Sequence, residues 1–350
     1  MLITLLCTAA GAGVLAAGGI IIETPAPYRV FQRSSAGSAA VPIAGTGHTT
    51  MARVEARVTS GPGNVISDWT ALDVPAGNGT FEGRITLPAG GWYTIEVRGL
   101  DAQGEVAGEA SVERVGVGEV FVCAGQSNAA NAGETKTRAQ SDLVAAFDGV
   151  NWSHCEDPQK GANGEGGSPW PTLGDLLARH LGVPVAFASV AVGGTSVNFW
   201  QPGAEGYAKL KRVMLALGTD GARAVLWHQG ESDAAGGMPG ADYEKKLENT
   251  IRSIRADAGY DIPWVVAKVS FVPDAWDNQP DKRDAIRSAQ QALWDRGVAL
   301  PGPDTDTMRS PELRAADRIH FSELGLRVHG ERWFAAVWRG LFEGTAAGGL

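Results

Sequence analysis

Two patterns of apolar and polar positions divide the chain near Gly116. Before that point, short segments alternate apolar with polar side chains, and Gly, Pro, Asn or Asp residues separate them. Short alternating segments at this density, over about a hundred residues, are typical of two packed antiparallel sheets. The pattern therefore predicts a small all-β sandwich domain over residues 20–116, with strands at 20–22, 28–32, 54–58, 80–87 and 92–98.

After Gly116, continuous apolar runs of strand length alternate with segments of helical periodicity. The apolar runs lie at 120–124, 183–190, 222–228 and 264–270, and the helical segments at 171–181, 206–218, 241–258, 281–296 and 323–342. Repeated strand–helix–strand connections produce a parallel sheet that is covered by helices on both faces. The sequence thus predicts an α/β domain over residues 117–345, in which ligands bind at the carboxyl ends of the strands.

The N-terminal segment, residues 1–19, is apolar and rich in small side chains. No Lys or Arg precedes Arg29, so the basic start of a typical signal peptide is missing. We interpret the segment as an atypical signal peptide, which predicts a secreted or periplasmic protein, while a non-secreted N-terminus stays open. The segment is too short and too rich in glycine to predict a membrane span.

Charge and cysteine content exclude several classes of partner. The 350 residues carry a formal net charge of −9 and contain no basic block, which argues against nucleic acid or an anionic membrane surface as partner. The cysteines Cys7, Cys123 and Cys155 have neither zinc-site spacing nor the pattern of a disulfide framework. Pairing of Cys123 with Cys155 is an alternative to a buried free thiol at Cys123. We predict no metal and no cofactor, and the sequence leaves the oligomeric state undetermined.

A serine follows the first apolar run of the α/β part. The run ends at Gly125, and Ser127 stands two positions later between Gln126 and Asn128. Because glycine lets the backbone turn sharply, the hydroxyl of Ser127 can be presented at the end of a buried strand. A strand that ends in a polar turn is the alternative. As a nucleophile, a serine hydroxyl needs a nearby imidazole to take its proton at neutral pH.

The segment Asp317-Arg318-Ile319-His320, just before the last predicted helix, supplies an imidazole and a carboxylate. Because Asp317 and His320 are only three positions apart, they can lie side by side with little help from the remainder of the fold. His320 is the candidate base, and Asp317 is the candidate acid that orients it. Glu231 is the alternative acid, and a helix-capping role for Asp317 is the alternative to catalysis.

Two further polar segments follow predicted strands. The adjacent glycines Gly193 and Gly194 let backbone N–H groups approach a ligand closely. Gln229, in the dense polar segment 227–233, can offer its side-chain amide. The N–H groups of Ser127 and Gly194 and the amide of Gln229 together predict an oxyanion hole. Ordinary hydrogen-bonded loops at both places are the alternative.

These four segments together resemble the sialate O-acetylesterase-like and carbohydrate esterase family 6 branch of the SGNH hydrolases. In chain order the matching pieces are Gly125–Asn128, Gly193–Ser196, Trp227–Asp233 and Asp317-x-x-His320, within residues 117–343. The resemblance implies a flavodoxin-like three-layer α/β/α fold and hydrolysis of acetyl esters on sugars. It also implies Ser127 as nucleophile, His320 as base, Asp317 as its orienting acid, and Ser127, Gly194 and Gln229 as oxyanion donors.

The resemblance makes an acetylated carbohydrate the expected substrate. We predict that it is bound by side chains next to the motif positions, with indole rings as a stacking platform: Gln126, Asn128, Trp200 and Trp227. A non-catalytic glycan-binding protein and an esterase for other acyl substrates are the alternatives. An α/β-hydrolase is disfavoured, because Ala129 stands where its Gly-x-Ser-x-Gly turn has a second glycine.

Overall fold

The computed structural model describes residues 19–48, 51–64, 66–74, 79–218, 221–273 and 279–343. Apart from Gly19, the segment interpreted as a signal peptide lies outside these residues. The secreted or periplasmic location of the protein therefore stays a prediction. The chain forms two compact units: one extends to Val117 and includes Val150–Ser153, and the other comprises Gly118–Gly149 and the residues from His154 onward. Among the described residues, no helix is both long and apolar enough to cross a membrane.

The first unit is built from antiparallel strands. The strands are β1 Ile21–Thr24, β2 Val30–Gln32, β3 Ser38–Thr46, β4 Arg53–Ser60, β5 Thr70–Leu72, β6 Thr80–Pro88, β7 Gly90–Leu100 and the first part of β8, Val106–Gly125. One sheet has the order β1-β3-β6, and another joins β5, β4, β7 and β8, with β2 paired to β8. Strands of both sheets contribute to one hydrophobic core, which includes Val41, Ile43, Val58, Ile95 and Val112.

The sequence pattern does not predict β3 and β5. In β3 the inward positions include Ala39, Val41 and Ile43, which are buried. Small residues and Pro42 occupy most of the other positions, and such residues have a weak preference for strands. Strand β5 has only three residues. Pairing with neighbouring strands, rather than local preference, therefore makes these two segments extended.

The second unit is a central parallel sheet with helices. Its strands are Gly118–Gly125 of β8, β9 Val144–Phe147, β11 Val185–Ser189, β12 Ala224–His228, β13 Trp264–Lys268 and β14 Leu300–Asp304. The short β10, Trp152–His154, has its first two residues in the first unit and His154 in the second. Its helices are α1 Trp170–Leu181, α2 Glu205–Leu217, α3 Glu231–Ala235, α4 Gly240–Ala258, α5 Pro280–Asp295 and α6 Glu323–Val337, which a π-helical turn extends to Phe342. The parallel strands have the order β9-β11-β8-β12-β13-β14. This arrangement confirms the predicted α/β class.

The helices form two groups. Helix α1 packs against α6, whereas α4 packs against both α2 and α5. The sequence pattern does not predict β9, which has four residues, or β14. Strand β14 contains Pro301 and Pro303 and lies at the edge of the sheet, where a missing N–H is tolerated.

The parallel sheet brings the motif segments together at the carboxyl ends of its strands. Strands β11 and β12 flank β8, with Ser189 opposite Cys123 and His228 opposite Gly125. Because all three strands run in the same direction, the segments that follow them leave the sheet on the same side. Ser127, the two glycines of 193–194 and Gln229 therefore lie at the carboxyl ends of adjacent strands, where such sheets bind ligands.

Candidate active site

The turn that carries Ser127 requires a glycine at its start. Gly125 has a φ of +131°, and a Cβ atom at this position would lie 2.1 Å from the carbonyl oxygen of His228. The N–H of Gln126 donates to that same carbonyl at 2.9 Å, which ties the turn to β12. Ser127 then begins a single 3-10 turn, Ser127–Ala129, and is partly exposed. Local sequence and close packing together present the hydroxyl at the strand end.

Asp317 and His320 form a hydrogen-bonded pair. His320 Nδ1 lies 2.6 Å from Asp317 Oδ2, and Asp317 Oδ1 accepts the N–H groups of Ile319 and His320 at 2.8 and 2.9 Å. Partial burial alone would raise the pKa of Asp317, but these hydrogen bonds outweigh it and hold the pKa below its usual value. An ionised Asp317 fixes the Nδ1–H tautomer of His320 and leaves Nε2 as the acceptor for a proton.

Asn128 connects the serine turn to the loop that carries His320. Its Nδ2 donates to Ile319 O at 3.3 Å and to Glu231 Oε1 at 3.0 Å. Arg314 holds the same carbonyl from the other side, because its Nη1 donates to Ile319 O at 2.5 Å. The residue after Ser127 thus contacts the residue before His320. This contact joins positions 191 residues apart in sequence.

The glycine pair lies beside the serine. A Cβ atom on Gly193 would be 3.4 Å from Ser127 Cβ, so the backbone there approaches Ser127 closely. Gly194 has a φ of +72°, in the left-handed region that favours glycine. The N–H of Gly193 donates to Asn163 Oδ1 at 2.8 Å. Asn163 is a site residue that the sequence analysis missed, because it lies in a glycine-rich loop without motif or periodicity.

Gln229 is fully buried, and its amide is surrounded by protein acceptors. Nε2 donates to Thr195 O at 3.0 Å, to Gln126 Oε1 at 3.3 Å and to Asp233 Oδ2. Because Nε2 has only two hydrogen atoms and three protein acceptors around it, this conformation leaves no N–H of Gln229 for a ligand. The direct oxyanion role of Gln229 stays a prediction. Its observed contacts hold together the loops that carry Gln126 and Thr195 and the helix α3 that carries Asp233.

The side chains of Gln126 and Asn128, predicted to bind substrate, are both buried. Gln126 Oε1 accepts the N–H of Ser232 at 3.1 Å as well as the amide of Gln229. Both hydrogen atoms of Asn128 Nδ2 have protein acceptors, as described above. The structure therefore gives these two amides internal contacts, and any contact with substrate stays a prediction.

The predicted stacking platform of Trp200 and Trp227 is wrong. Both side chains are fully buried, so neither indole face is available to a sugar ring. Their ring centroids are 5.4 Å apart in an edge-to-face contact, and Trp227 also packs against Trp264 at 5.8 Å. The apolar faces of both rings are used for packing beside β12. The positions of the two tryptophans next to motif residues in the sequence did not indicate that they are buried.

Glu231 and His228 are buried behind the serine turn. Burial raises the pKa of Glu231 to about 7, although its hydrogen bond from Asn128 opposes the shift. Burial, with help from the charge of Arg314, lowers the pKa of His228 to about 3. Glu231 Oε1 is 3.8 Å from His228 Nδ1, and Glu231 Oε2 has no hydrogen-bond partner among the described residues. Glu231 therefore touches Asn128, whereas the carboxylate bonded to His320 is Asp317.

The cysteines and the possible metal ligands are the remaining candidate groups. Cys123 and Cys155 are both buried free thiols, so the disulfide alternative is not what the structure contains. Burial raises the pKa of both thiols. Among the described residues, no group of three or more His, Cys, Asp or Glu side chains is arranged to hold a metal ion.

Replacement of Glu231 by glutamine is expected to change how stability depends on pH. The pKa of Glu231 is raised from 4.5 to about 7 in the folded protein, so the unfolded state loses this proton first as the pH rises. The free energy of unfolding of the wild type should therefore fall relative to Glu231→Gln between about pH 4.5 and 7, by about 3 kcal/mol, and the difference should then level off. Urea denaturation of both proteins from pH 4 to 8 measures it. A constant difference would contradict the raised pKa.

Comparison with known proteins agrees with this geometry. Residues 117–339 match the family described as carbohydrate esterase, sialic acid-specific acetylesterase. The solved structure of a carbohydrate acetylesterase from Xanthomonas citri is 19% identical, with a TM-score of 0.60 over 91% of this chain and 74% of that chain. A protein from Arabidopsis thaliana is 18% identical, with a TM-score of 0.51 over 64% of this chain and 98% of that chain. No curated protein sequence matches the chain.

At these identities the two solved structures show a shared fold and no more. The family match carries more weight, because it spans well over half of the chain and contains all four motif segments. It confirms the resemblance inferred from the sequence and makes the protein a carboxylic ester hydrolase. The chain belongs to the sialic acid-specific acetylesterase family of carbohydrate esterases.

Proposed function

We propose that the protein removes O-acetyl groups from carbohydrate by a Ser–His–Asp mechanism with an acetyl-enzyme intermediate. One observation carries the proposal: the Asp317–His320 pair is held next to the serine turn by the hydrogen bond from Asn128 to Ile319 O. Ser127, His320 and Asp317, the proposed nucleophile, base and orienting acid, thus lie near one another at the carboxyl ends of the strands. The family match supports ester hydrolysis on a carbohydrate.

In the first half of the reaction, Ser127 Oγ attacks the acetyl carbonyl while His320 Nε2 takes the hydroxyl proton. The imidazolium that forms keeps its Nδ1–H on Asp317, and the negative carboxylate stabilises it. Negative charge develops on the carbonyl oxygen, and the backbone N–H groups of Ser127 and Gly194 donate to it. The sugar hydroxyl then leaves with the proton from His320, and the acetyl group remains on Ser127.

In the second half, His320 Nε2 removes a proton from water as the water attacks the acetyl-enzyme. The same oxyanion donors stabilise the second tetrahedral intermediate. Acetic acid, which ionises to acetate in solvent, leaves as the proton from His320 returns to Ser127 Oγ. Each proton accepted by His320 is returned, so the enzyme is regenerated without any other reactant. His320 acts in the same way in both halves, first as base and then as acid, whereas Ser127 Oγ is the nucleophile in the first half and the leaving group in the second.

We also infer the finer architecture of both units. Counted without the short β9, the strand order β11-β8-β12-β13-β14 corresponds to 2-1-3-4-5, the flavodoxin-like order. The two helix groups support a three-layer α/β/α arrangement for residues 117–345. The two antiparallel sheets with a shared core support a β-sandwich for residues 20–116. This sandwich is proposed as an accessory module.

Acetate release from a panel of acetylated carbohydrates tests the proposed function. The panel comprises acetylated xylans, O-acetylated sialosides and acetylated bacterial polysaccharides, and an aryl acetate reports activity that is independent of the sugar. We expect acetate release from at least one carbohydrate with a higher kcat/KM than the aryl acetate has. Turnover of aryl or other acyl esters alone would favour a non-carbohydrate esterase, and glycan binding without acetate release would favour a binding protein.

A further inference from the structure

Asn163 forms hydrogen bonds with two loops, one after the serine turn and one after β11, and the acetyl group would react between them. Asn163 lies in the glycine-rich segment 161–167. Its backbone N–H, its backbone carbonyl and its side-chain Oδ1 each form a hydrogen bond with one of these loops. Its backbone N–H donates to Ala191 O at 3.1 Å, and its carbonyl accepts the N–H of Asn131 at 3.1 Å. Its side-chain Oδ1 accepts the N–H of Gly193 at 2.8 Å. Asn131 follows the serine turn, and Ala191 and Gly193 follow β11.

The Gly193 backbone lies between Asn163 and the nucleophile. A Cβ atom on Gly193 would be 3.7 Å from Asn163 Oδ1 and 3.4 Å from Ser127 Cβ. Asn163 is thus separated from the reacting serine by a single residue of backbone. The side chain is exposed, so its contact with Gly193 is made at the open edge of the site and not in the core.

Two adjacent glycines need contacts with neighbouring residues to fix their conformation, because glycine can adopt a wider range of φ and ψ angles than other residues. On the carboxyl side of the pair, Thr195 is fixed: its Oγ1 donates to Val192 O at 2.8 Å, and its carbonyl accepts the amide of Gln229 at 3.0 Å. On the amino side, the N–H of Gly193 is held by Asn163 Oδ1. The angles of Gly193 set the direction of the next N–H, which belongs to Gly194.

We propose that Asn163 is a positioning residue, which aims the Gly194 N–H at the developing oxyanion by holding Gly193. The inference rests on the proposed function, since Gly194 is an oxyanion donor only if Ser127 forms an acyl-enzyme. Its action is specific to the transition state, because the oxyanion exists only there. Loss of the contact should therefore lower kcat and leave KM little changed.

Two variants separate hydrogen bonding from packing. Asn163→Ala removes the whole amide, and Asn163→Leu replaces it with an apolar side chain of similar volume that cannot accept the N–H of Gly193. We expect both variants to lower kcat for an aryl acetate by about ten- to a hundredfold, since misplacing one oxyanion donor costs at most about what its removal costs. KM should stay within about twofold of the wild type. Inactivation of Ser127 by an aryl phosphonate should slow by the same factor as kcat/KM, because the phosphonate adduct uses the same donors.

Glu165→Ala is the matched control, because Glu165 is an exposed side chain in the same loop. We expect the control to keep the kcat of the wild type, with thermal unfolding of all variants recorded alongside. An Asn163→Leu variant with wild-type kcat, or a loss carried by KM, would overturn the positioning role while the esterase assignment stands. A wild-type protein that neither turns over the ester nor reacts with the phosphonate would instead overturn the proposed function, and this inference with it.

Discussion

Replacement of Ser127 by alanine is expected to lower kcat for an acetyl ester by about 10⁴-fold or more. The variant keeps the glycine turn, the 3-10 turn and the backbone N–H of residue 127, so the proposed oxyanion donors remain. What it loses is the oxygen that forms the acetyl-enzyme in the proposed mechanism, and water must then attack the ester directly. Steady-state turnover of an aryl acetate, together with trapping of the acetylated protein by mass spectrometry, measures both consequences.

Ser189→Ala is the matched control for this variant. Ser189 ends β11 at the same edge of the sheet, is buried, and its Oγ has no hydrogen-bond partner among the described residues. Loss of that hydroxyl should leave kcat close to the wild-type value. If Ser127→Ala turned over the ester at an undiminished rate, or if acetyl-enzyme still accumulated in it, Ser127 would not be the nucleophile.

Replacement of Asp317 by asparagine is expected to lower kcat by about 10⁴-fold, while Glu231→Gln lowers it by no more than about tenfold. Asp317 Oδ2 is bonded to His320 Nδ1, and an amide there cannot stabilise the imidazolium and can favour the wrong tautomer of the ring. Glu231 acts on Asn128, and a glutamine at 231 keeps an oxygen that accepts the Asn128 amide. The two substitutions are therefore alike in size and differ in what they contact.

Turnover of both variants from pH 5 to 9 compares the two acids. Because hydrogen bonds hold the pKa of Asp317 below its usual value, Asp317 stays ionised through this range, and the loss in Asp317→Asn should persist across it. The far-ultraviolet circular dichroism spectrum of each variant serves as the folding control. A larger loss in Glu231→Gln than in Asp317→Asn would make Glu231 the orienting acid.

Some parts of this site are local in sequence and were predicted for that reason. Asp317 and His320 are three residues apart, so their contact needs only a turn of the chain, and the structure contains it. Gly125 is required where the apolar strand ends, and its positive φ follows from the sharp turn into Ser127. The change from alternating to continuous apolar segments near Gly116 indicated the α/β class, because side-chain periodicity reports which faces of a strand are buried.

Other parts depend on contacts between distant segments, which no local pattern encodes. The sequence could suggest Trp200 and Trp227 as a stacking platform because it shows their position but not their burial against each other. It could offer Glu231 as an acid, yet only packing decides that its partner is Asn128, 103 residues away.

By itself, then, the sequence determined the α/β class of the longer part, the order of the four motifs and the local Asp317–His320 pair, because these follow from spacing along the chain. Only the tertiary structure decided how many acceptors surround the amide of Gln229, and that Asn163 holds Gly193. The physical reason is that a hydrogen bond between loops is set by the packing of the strands beneath them, and that packing is a property of the whole sheet.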